Sequence, residues 1–156
     1  MLFFSLSACQ RYQTYTDSSF GFRINHPTYW EPFQGEPNEG VWFNAKEQGD
    51  VTIWIRVLDE VSATTAVDSV QLQVDEYLKD IELLSEVQIS TYEHAKYDIA
   101  SAFYIIQAAN VPFEIEIYTI VIQNSDRMAV IFTAGDGYEP EKAAEAIINS
   151  FDFLPQ

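Results

Sequence analysis

The sequence has a single cysteine, Cys9, and only 8 basic side chains against 24 acidic ones. One cysteine cannot form a disulfide within the chain, so the fold has to be held together by its core. The formal net charge of -16 repels the phosphate backbone of nucleic acids and argues against a nucleic-acid-binding function. It also disfavours binding to anionic lipid headgroups through a basic patch. An acidic, solvated surface follows, which admits cationic partners or divalent cations.

Long apolar runs and catalytic motifs are missing as well. No stretch reaches the roughly 18 apolar residues that a membrane-spanning helix needs. The sequence contains no GxSxG elbow, no P-loop and no HExxH or CxxC pair. A zinc site would need more ligands at compatible spacing than His26 and His94 provide, and His26, just before Pro27, is expected to make a structural hydrogen bond. We therefore expect no enzyme, no catalytic residue, no metal site and no cofactor, although the acidic surface admits a divalent cation.

What the sequence does have is enough apolar material for one folded domain. Apolar residues make up 47% and aromatic residues 15% of the 156 positions. The stretch from Lys96 to Ala134 reads as three strands in series, rich in Tyr, Phe, Ile and Val and broken by short polar turns. The segment Val51–Leu58 is partly apolar on both faces, which predicts helices above and below the sheet.

Two helices are predicted around these strands. Apolar residues recur at spacings of three and four from Ala66 to Leu84, which is typical of one amphipathic helix. A further strand is predicted over residues 86–94, with Val87 and Ile89 directed inward. Pro140 is suited to the first position of a C-terminal helix, because its missing N–H costs nothing there.

The first residues resemble a bacterial lipoprotein signal. Leu6-Ser7-Ala8-Cys9 follows the lipobox pattern, in which a leucine and two small residues precede the cysteine that becomes the lipidated N-terminus. No Lys or Arg precedes Cys9, so either the true start lies upstream or the match is accidental and Cys9 is a free thiol. We expect residues 1–8 to be a signal-peptide remnant, residues 9–18 a lipidated cysteine and polar tether, and residues 19–156 a single domain.

Aromatic residues are concentrated in one third of the chain: Tyr29, Trp30, Phe33, Trp42, Phe43 and Trp54. Part of this group has to fill the core between sheet and helix, and the remainder can line a groove for a partner or an apolar ligand. The candidates for binding are Tyr29, Trp30, Trp42 and Trp54. For each of them core packing is the alternative.

Three segments resemble the PsbP-like family: FGFRINHPTYW at residues 20–30, the strand Val41-Trp42-Phe43, and the closing segment at residues 147–151. The resemblance covers about Phe20 to Phe153. It implies an α+β fold, an α/β/α sandwich with a central antiparallel sheet of about six or seven strands. Ran-binding nuclear import factors and some small bacterial lipoproteins share this fold.

The lipobox and the resemblance together imply a non-catalytic accessory or assembly factor. Cys9 would hold a monomeric, acidic domain on the extracytoplasmic face of a bacterial membrane, in the periplasm or at the cell surface, with the lipid as its only membrane contact. Its partner would be a membrane protein complex or an envelope protein; in photosynthetic relatives that partner is a photosystem. The alternative is a small-ligand or divalent-cation-binding module of the cell envelope. A cytosolic Ran-type role applies if the lipobox match is accidental.

Overall fold

The structure, a computed structural model, describes residues 11–34, 39–45, 51–136 and 139–156. In chain order its elements are β1 (Tyr12–Asp17), β2 (Phe22–Pro27), β3 (Trp30–Gln34), β4 (Val41–Ala45), β5 (Val51–Leu58), α1 (Ala66–Tyr77), a 3-10 turn (Leu78–Asp80), β6 (Glu82–Leu83), β7 (Gln88–Tyr92), β8 (Asp98–Gln107), β9 (Ile115–Gln123), β10 (Met128–Gly135), α2 (Glu139–Ile148) and β11 (Asp152–Phe153).

These strands form two antiparallel sheets. The main sheet has eight strands in the order β3-β4-β5-β10-β9-β8-β6, with β7 also paired to β8. The smaller sheet has the order β1-β2-β11. Strands β8, β9 and β10 pair with their sequence neighbours, which confirms the three strands in series predicted over residues 96–134.

The helices lie on opposite faces of the main sheet, as the sequence predicts. Along β10 the side chains alternate: Val130 packs in the cluster that contains α1, and Ile131 packs in the cluster that contains α2. Both side chains are almost completely buried. This period of two lets one strand serve two hydrophobic cores. The α/β/α sandwich expected from the resemblance is thus confirmed, with the three-stranded sheet added to it.

Helix α1 ends seven residues before the predicted boundary at Leu84. The backbone N–H of Leu84 donates to the carbonyl of Ile105 in β8, at 2.8 Å. This part of the chain therefore joins the edge of the sheet and does not continue the helix. The last turn of α1 carries no basic residue that would offset the negative end of the helix dipole. The helical spacing of apolar residues continues to Leu84, but the last residues of this stretch pair with β8.

The strand predicted over residues 86–94 forms as β7, but the inward direction predicted for Ile89 is wrong. All five residues of β7 are exposed, and Ile89 is 38% exposed. Within the part of the chain that the structure describes, β7 pairs with β8 alone, so it has the character of an edge strand.

The N-terminal part differs from the polar tether expected through residue 18. Residues Tyr12–Asp17 form β1, which pairs with β2 from Tyr12 opposite Pro27 to Asp17 opposite Phe22. The predicted lipid-attachment residue, Cys9, lies outside the described residues. Among those that are described, neither helix combines the length and apolar character needed to cross a bilayer.

Candidate functional site

Four aromatic side chains form a row across the main sheet, on the side of α1. The ring centroids are 6.2 Å apart for Phe33 and Trp42, 5.7 Å for Trp42 and Trp54, and 5.4 Å for Trp54 and Phe132. The strand register places these residues directly opposite one another on β3, β4, β5 and β10. Each ring is therefore the cross-strand neighbour of the next, an arrangement that stabilises the sheet. We call these four residues the aromatic row.

Helix α1 leaves this half of the sheet open. It packs on β8 and β9, whereas α2 packs on the other face. Among the described residues, the main contacts of the two helices are with other strands and not with β3 or β4. Phe33, at the outer end of the row, is 44% exposed, and Trp42, Trp54 and Phe132 are half-buried. Contiguous apolar patches on a protein surface are candidates for interaction sites, and the aromatic row is one such candidate.

An apolar recess of about 260 Å³ opens between the row and the end of α1. It is lined by Trp42, Thr52, Trp54, Tyr77, Ile117, Phe132 and Ala134. The ring of Tyr77 packs 5.4 Å from that of Phe132, and burial raises the pKa of the Tyr77 hydroxyl, which stays protonated. Small-molecule sites typically enclose about 300–1,000 Å³. The recess is below that range, which favours the side chain of a partner over a bulky cofactor.

Polar groups border the aromatic row. The indole N–H of Trp54 donates to the backbone carbonyl of Glu39, at 2.5 Å, which fixes the ring against the chain entering β4. Glu39 and Arg56 line a cleft of about 340 Å³ with the two tryptophans of the row. Glu31 is exposed and, two residues before Phe33 in β3, lies on the same face as Phe33. An apolar centre with a charged rim is the usual anatomy of a protein interface.

The structure separates the four aromatic residues singled out from the sequence. Trp42 and Trp54 lie in the aromatic row. Trp30 is 2% exposed and stacks on His26 at 5.7 Å, in the core on the opposite face of the sheet. Tyr29 lines a more polar cavity of about 220 Å³ on that side, beside α2.

Two residues of the site were not singled out from the sequence. Phe132 joins the row through the pairing of β10 with β5, and Tyr77 lines the recess from the last residue of α1. The alternation of the segment Met128–Gly135 would place Phe132 on the face of Val130, but nothing local predicts which strand lies beside it.

Both histidines have structural hydrogen bonds. His26 is 1% exposed, and its Nδ1 lies 2.8 Å from the carbonyl oxygen of Pro27, which confirms the structural hydrogen bond expected there. Burial lowers the pKa of His26 and keeps the ring neutral. The Nδ1 of His94 accepts the backbone N–H groups of Lys96 and Tyr97. In the described ranges no group of three or more His, Cys, Asp or Glu side chains is placed to hold a metal ion.

Several solved structures share this fold. The solution structure of cyanobacterial PsbP (CyanoP) from Synechocystis is 14% identical, with 99% of both chains covered and a TM-score of 0.59. The Ran-binding protein Mog1p of Saccharomyces cerevisiae is 11% identical, with 93% of this chain and 96% of that chain covered and a TM-score of 0.67. A protein from Bacteroides thetaiotaomicron is 14% identical, with 92% of this chain but 48% of its own length covered and a TM-score of 0.61.

These similarities establish the fold alone. No protein-family model matches the chain, and no curated protein matches it either. The predicted PsbP-like fold, shared with a Ran-binding protein, is confirmed.

Proposed function

We propose that this protein is a non-catalytic accessory factor that binds a partner protein through the aromatic row. The main observation behind this proposal is the row itself, in which four aromatic side chains contact one another on the part of the sheet that α1 leaves open. Removing apolar surface from water contributes about 25 cal/mol per Å², so covering the row favours association. One fold neighbour, Mog1p, is described as a Ran-binding protein, which supports a role in binding a partner protein.

The partner segment is expected to combine an apolar side chain with flanking basic residues. The recess of about 260 Å³ accepts an apolar side chain, and Glu31 and Glu39 lie around the row. The net charge of -16 attracts a basic segment over a Debye length of about 8 Å. An arginine of the partner would also be attracted to the face of an indole ring of the row by a cation–π interaction.

The proposal includes a lipid anchor at Cys9, on the extracytoplasmic face of a bacterial membrane. The lipobox-like sequence Leu6-Ser7-Ala8-Cys9 supports it. Strand β1 begins at Tyr12, three residues after Cys9, and three residues span at most about 10 Å. An anchor at Cys9 would therefore hold the smaller sheet close to the bilayer and limit the partner to proteins at that membrane.

The anchor predicts the mass of the mature protein. Protein isolated from membranes of the native host should have an intact mass that corresponds to a chain beginning at Cys9 with added acyl groups, and Cys9→Ser should move it to the soluble fraction. A soluble wild-type protein with an unmodified Cys9 would contradict the anchor, but not the binding role of the aromatic row.

Partner binding is tested best at Phe33, the most exposed residue of the row. A photo-reactive amino acid at position 33, in host membranes, identifies the partner by cross-linking. With the purified partner, Phe33→Ala should weaken binding about fivefold or more, which corresponds to a loss of about 1 kcal/mol or more for an aromatic residue that contributes to the interface. Calorimetric titration measures the affinity.

Leu72→Ala is the matched control for this experiment. Leu72 is 49% exposed, close to the 44% of Phe33, but it lies on α1 outside the aromatic row. Its replacement should leave the affinity unchanged. If Phe33→Ala and Leu72→Ala bind the partner equally well, the row is not the interface.

The recess also supports the alternative of a small apolar ligand. Phe33 does not line the recess, whereas Phe132 does. A ligand held there would raise the melting temperature of the wild-type protein and of Phe33→Ala, but not that of Phe132→Ala. Loss of partner binding in Phe33→Ala distinguishes the proposed function from this alternative.

A further inference from the structure

Three of the eight basic side chains converge on one pocket. Arg23, Lys96 and Arg127 line a cavity of about 390 Å³ together with Asp152. They come from β2, from the loop before β8 and from the turn between β9 and β10. The pocket lies where the smaller sheet meets the turns of the main sheet. In a chain with 24 acidic residues it is a local concentration of positive charge.

The carboxylate of Asp152 lies among these cations. Arg23 Nη2 is 2.7 Å from Asp152 Oδ2, and Lys96 Nζ is 3.5 Å from Asp152 Oδ1. The hydroxyl of Tyr97 also donates to Asp152. That hydrogen bond, followed by the hydrogen bond from Arg23 and the positive charges of Lys96 and Arg23, holds the pKa of Asp152 below its usual range. With Arg127 included, the pocket keeps an excess of positive charge over this one ionised carboxylate.

Two of the cations keep donors for a further acceptor. Arg127 is committed to the chain, because its guanidinium donates to the carbonyls of Leu154 and Gly21 and lies over the ring of Phe153. The side chains of Arg23 and Lys96, by contrast, are 54% and 65% exposed while paired with Asp152. A guanidinium has five N–H groups and an ammonium has three, so most donors of this pair face the pocket or the solvent.

We propose that this pocket binds a carboxylate group between the guanidinium of Arg23 and the ammonium of Lys96. The planar fork of an arginine matches the geometry of a carboxylate. The carboxylate of Asp152 stays in the pocket and repels additional negative charge, which favours a monoanion over a phosphate dianion. The site shares no residue with the aromatic row, so this proposal is independent of the proposed function.

Titration with acetate, followed by amide signals in NMR spectra, tests the site. The titration is done at constant ionic strength near about 150 mM, where the distant acidic surface is screened. Acetate should cause saturable shifts of the amides around Arg23, Lys96 and Asn124. The double variant Arg23→Gln/Lys96→Gln should weaken the binding at least tenfold. Lys79→Gln, which removes a lysine paired with Glu76 elsewhere, should leave it unchanged.

Asp152→Asn separates a binding role from a structural one. The substitution frees Arg23 and Lys96 from their internal carboxylate and removes its repulsion, while the amide oxygen can still accept from Tyr97. Acetate should then bind several-fold more tightly, whereas purely structural ion pairs predict no gain. Equal binding by the double variant, equal shifts with chloride in place of acetate, or no gain in Asp152→Asn would overturn the proposal.

A short capped peptide with a single glutamate identifies the source of the carboxylate. Tighter binding of the peptide than of acetate assigns the site to an acidic side chain of a polypeptide. Binding no tighter than that of acetate assigns it to a free small acid. Both results support a carboxylate site, and the same double variant should weaken the binding in either case at least tenfold.

Discussion

Replacement of Phe43 by alanine is expected to lower the free energy of unfolding by about 3–5 kcal/mol, the usual cost of truncating a buried phenylalanine. Phe43 is completely buried, and its ring lies 5.0 Å from that of Tyr15, 5.4 Å from that of His26 and 5.9 Å from that of Trp30. These contacts join the smaller sheet to the main sheet. The variant leaves a cavity between elements that are fixed by their own strand pairing, so the cavity cannot close fully. Urea unfolding followed by circular dichroism measures the loss.

The neighbouring variant Trp42→Ala is the control for Phe43→Ala. The two residues are adjacent in β4 and point to opposite faces, with Phe43 in the core and Trp42 half-buried in the aromatic row. Trp42→Ala should cost only about 1–2 kcal/mol, because its ring already meets water. It should nevertheless weaken partner binding, whereas Phe43→Ala should reduce binding only through the fraction of protein that is unfolded. Equal losses of stability in both variants would contradict this assignment of the two faces.

The elements that sequence patterns predict well are those determined by their own residues. The alternation within Val51–Leu58 and the turns that separate β8, β9 and β10 are local signals, and these strands form as predicted. The end of α1 is different, because the competing partner of Leu84 is the carbonyl of Ile105, which is distant in sequence. The helical spacing of apolar residues cannot show that the last of these residues will instead form hydrogen bonds with the edge of the sheet.

The candidate site is predictable only in part, for the same reason. The concentration of aromatic residues draws attention to Trp30, Trp42 and Trp54, but the face that each occupies depends on the register between strands. Phe132 becomes part of the aromatic row through the pairing of β10 with β5. The three cations that line the pocket around Asp152 come from distant parts of the chain, and no motif links them.

Replacement of Gly40 by alanine is expected to lower the free energy of unfolding by about 2–4 kcal/mol. Gly40 has a φ of +103°, a conformation that costs other residues about 1–3 kcal/mol. A Cβ atom at this position would also lie 2.4 Å from the carbonyl oxygen of Ile55 and 3.1 Å from Trp54 Nε1. The start of β4 would have to move away from β5, because the carbonyl belongs to the backbone and cannot turn aside. Denaturant unfolding measures the loss of stability.

Gly21→Ala separates the steric overlap expected in Gly40→Ala from the cost of the backbone conformation alone. Gly21 has a φ of +71°, but of the described residues the Cβ atom there would meet only Arg127, whose Nη1 lies at 3.0 Å at the end of a flexible side chain. It should therefore cost about 1–2 kcal/mol, the usual penalty of the left-handed conformation. Equal losses in Gly21→Ala and Gly40→Ala would contradict the close approach of Gly40 to β5.

Gly40→Ala should also disturb the aromatic row directly. The carbonyl of Glu39 accepts the indole N–H of Trp54, and a shift of Gly40 removes that acceptor. We expect a change in tryptophan emission and weaker partner binding even under conditions in which the variant is fully folded. Phe43→Ala should leave partner binding unchanged once its folded fraction is taken into account. The two variants therefore test two different contributions to the aromatic row. Phe43→Ala removes a core side chain on the opposite face of the sheet, whereas Gly40→Ala displaces the ring of Trp54 within the row.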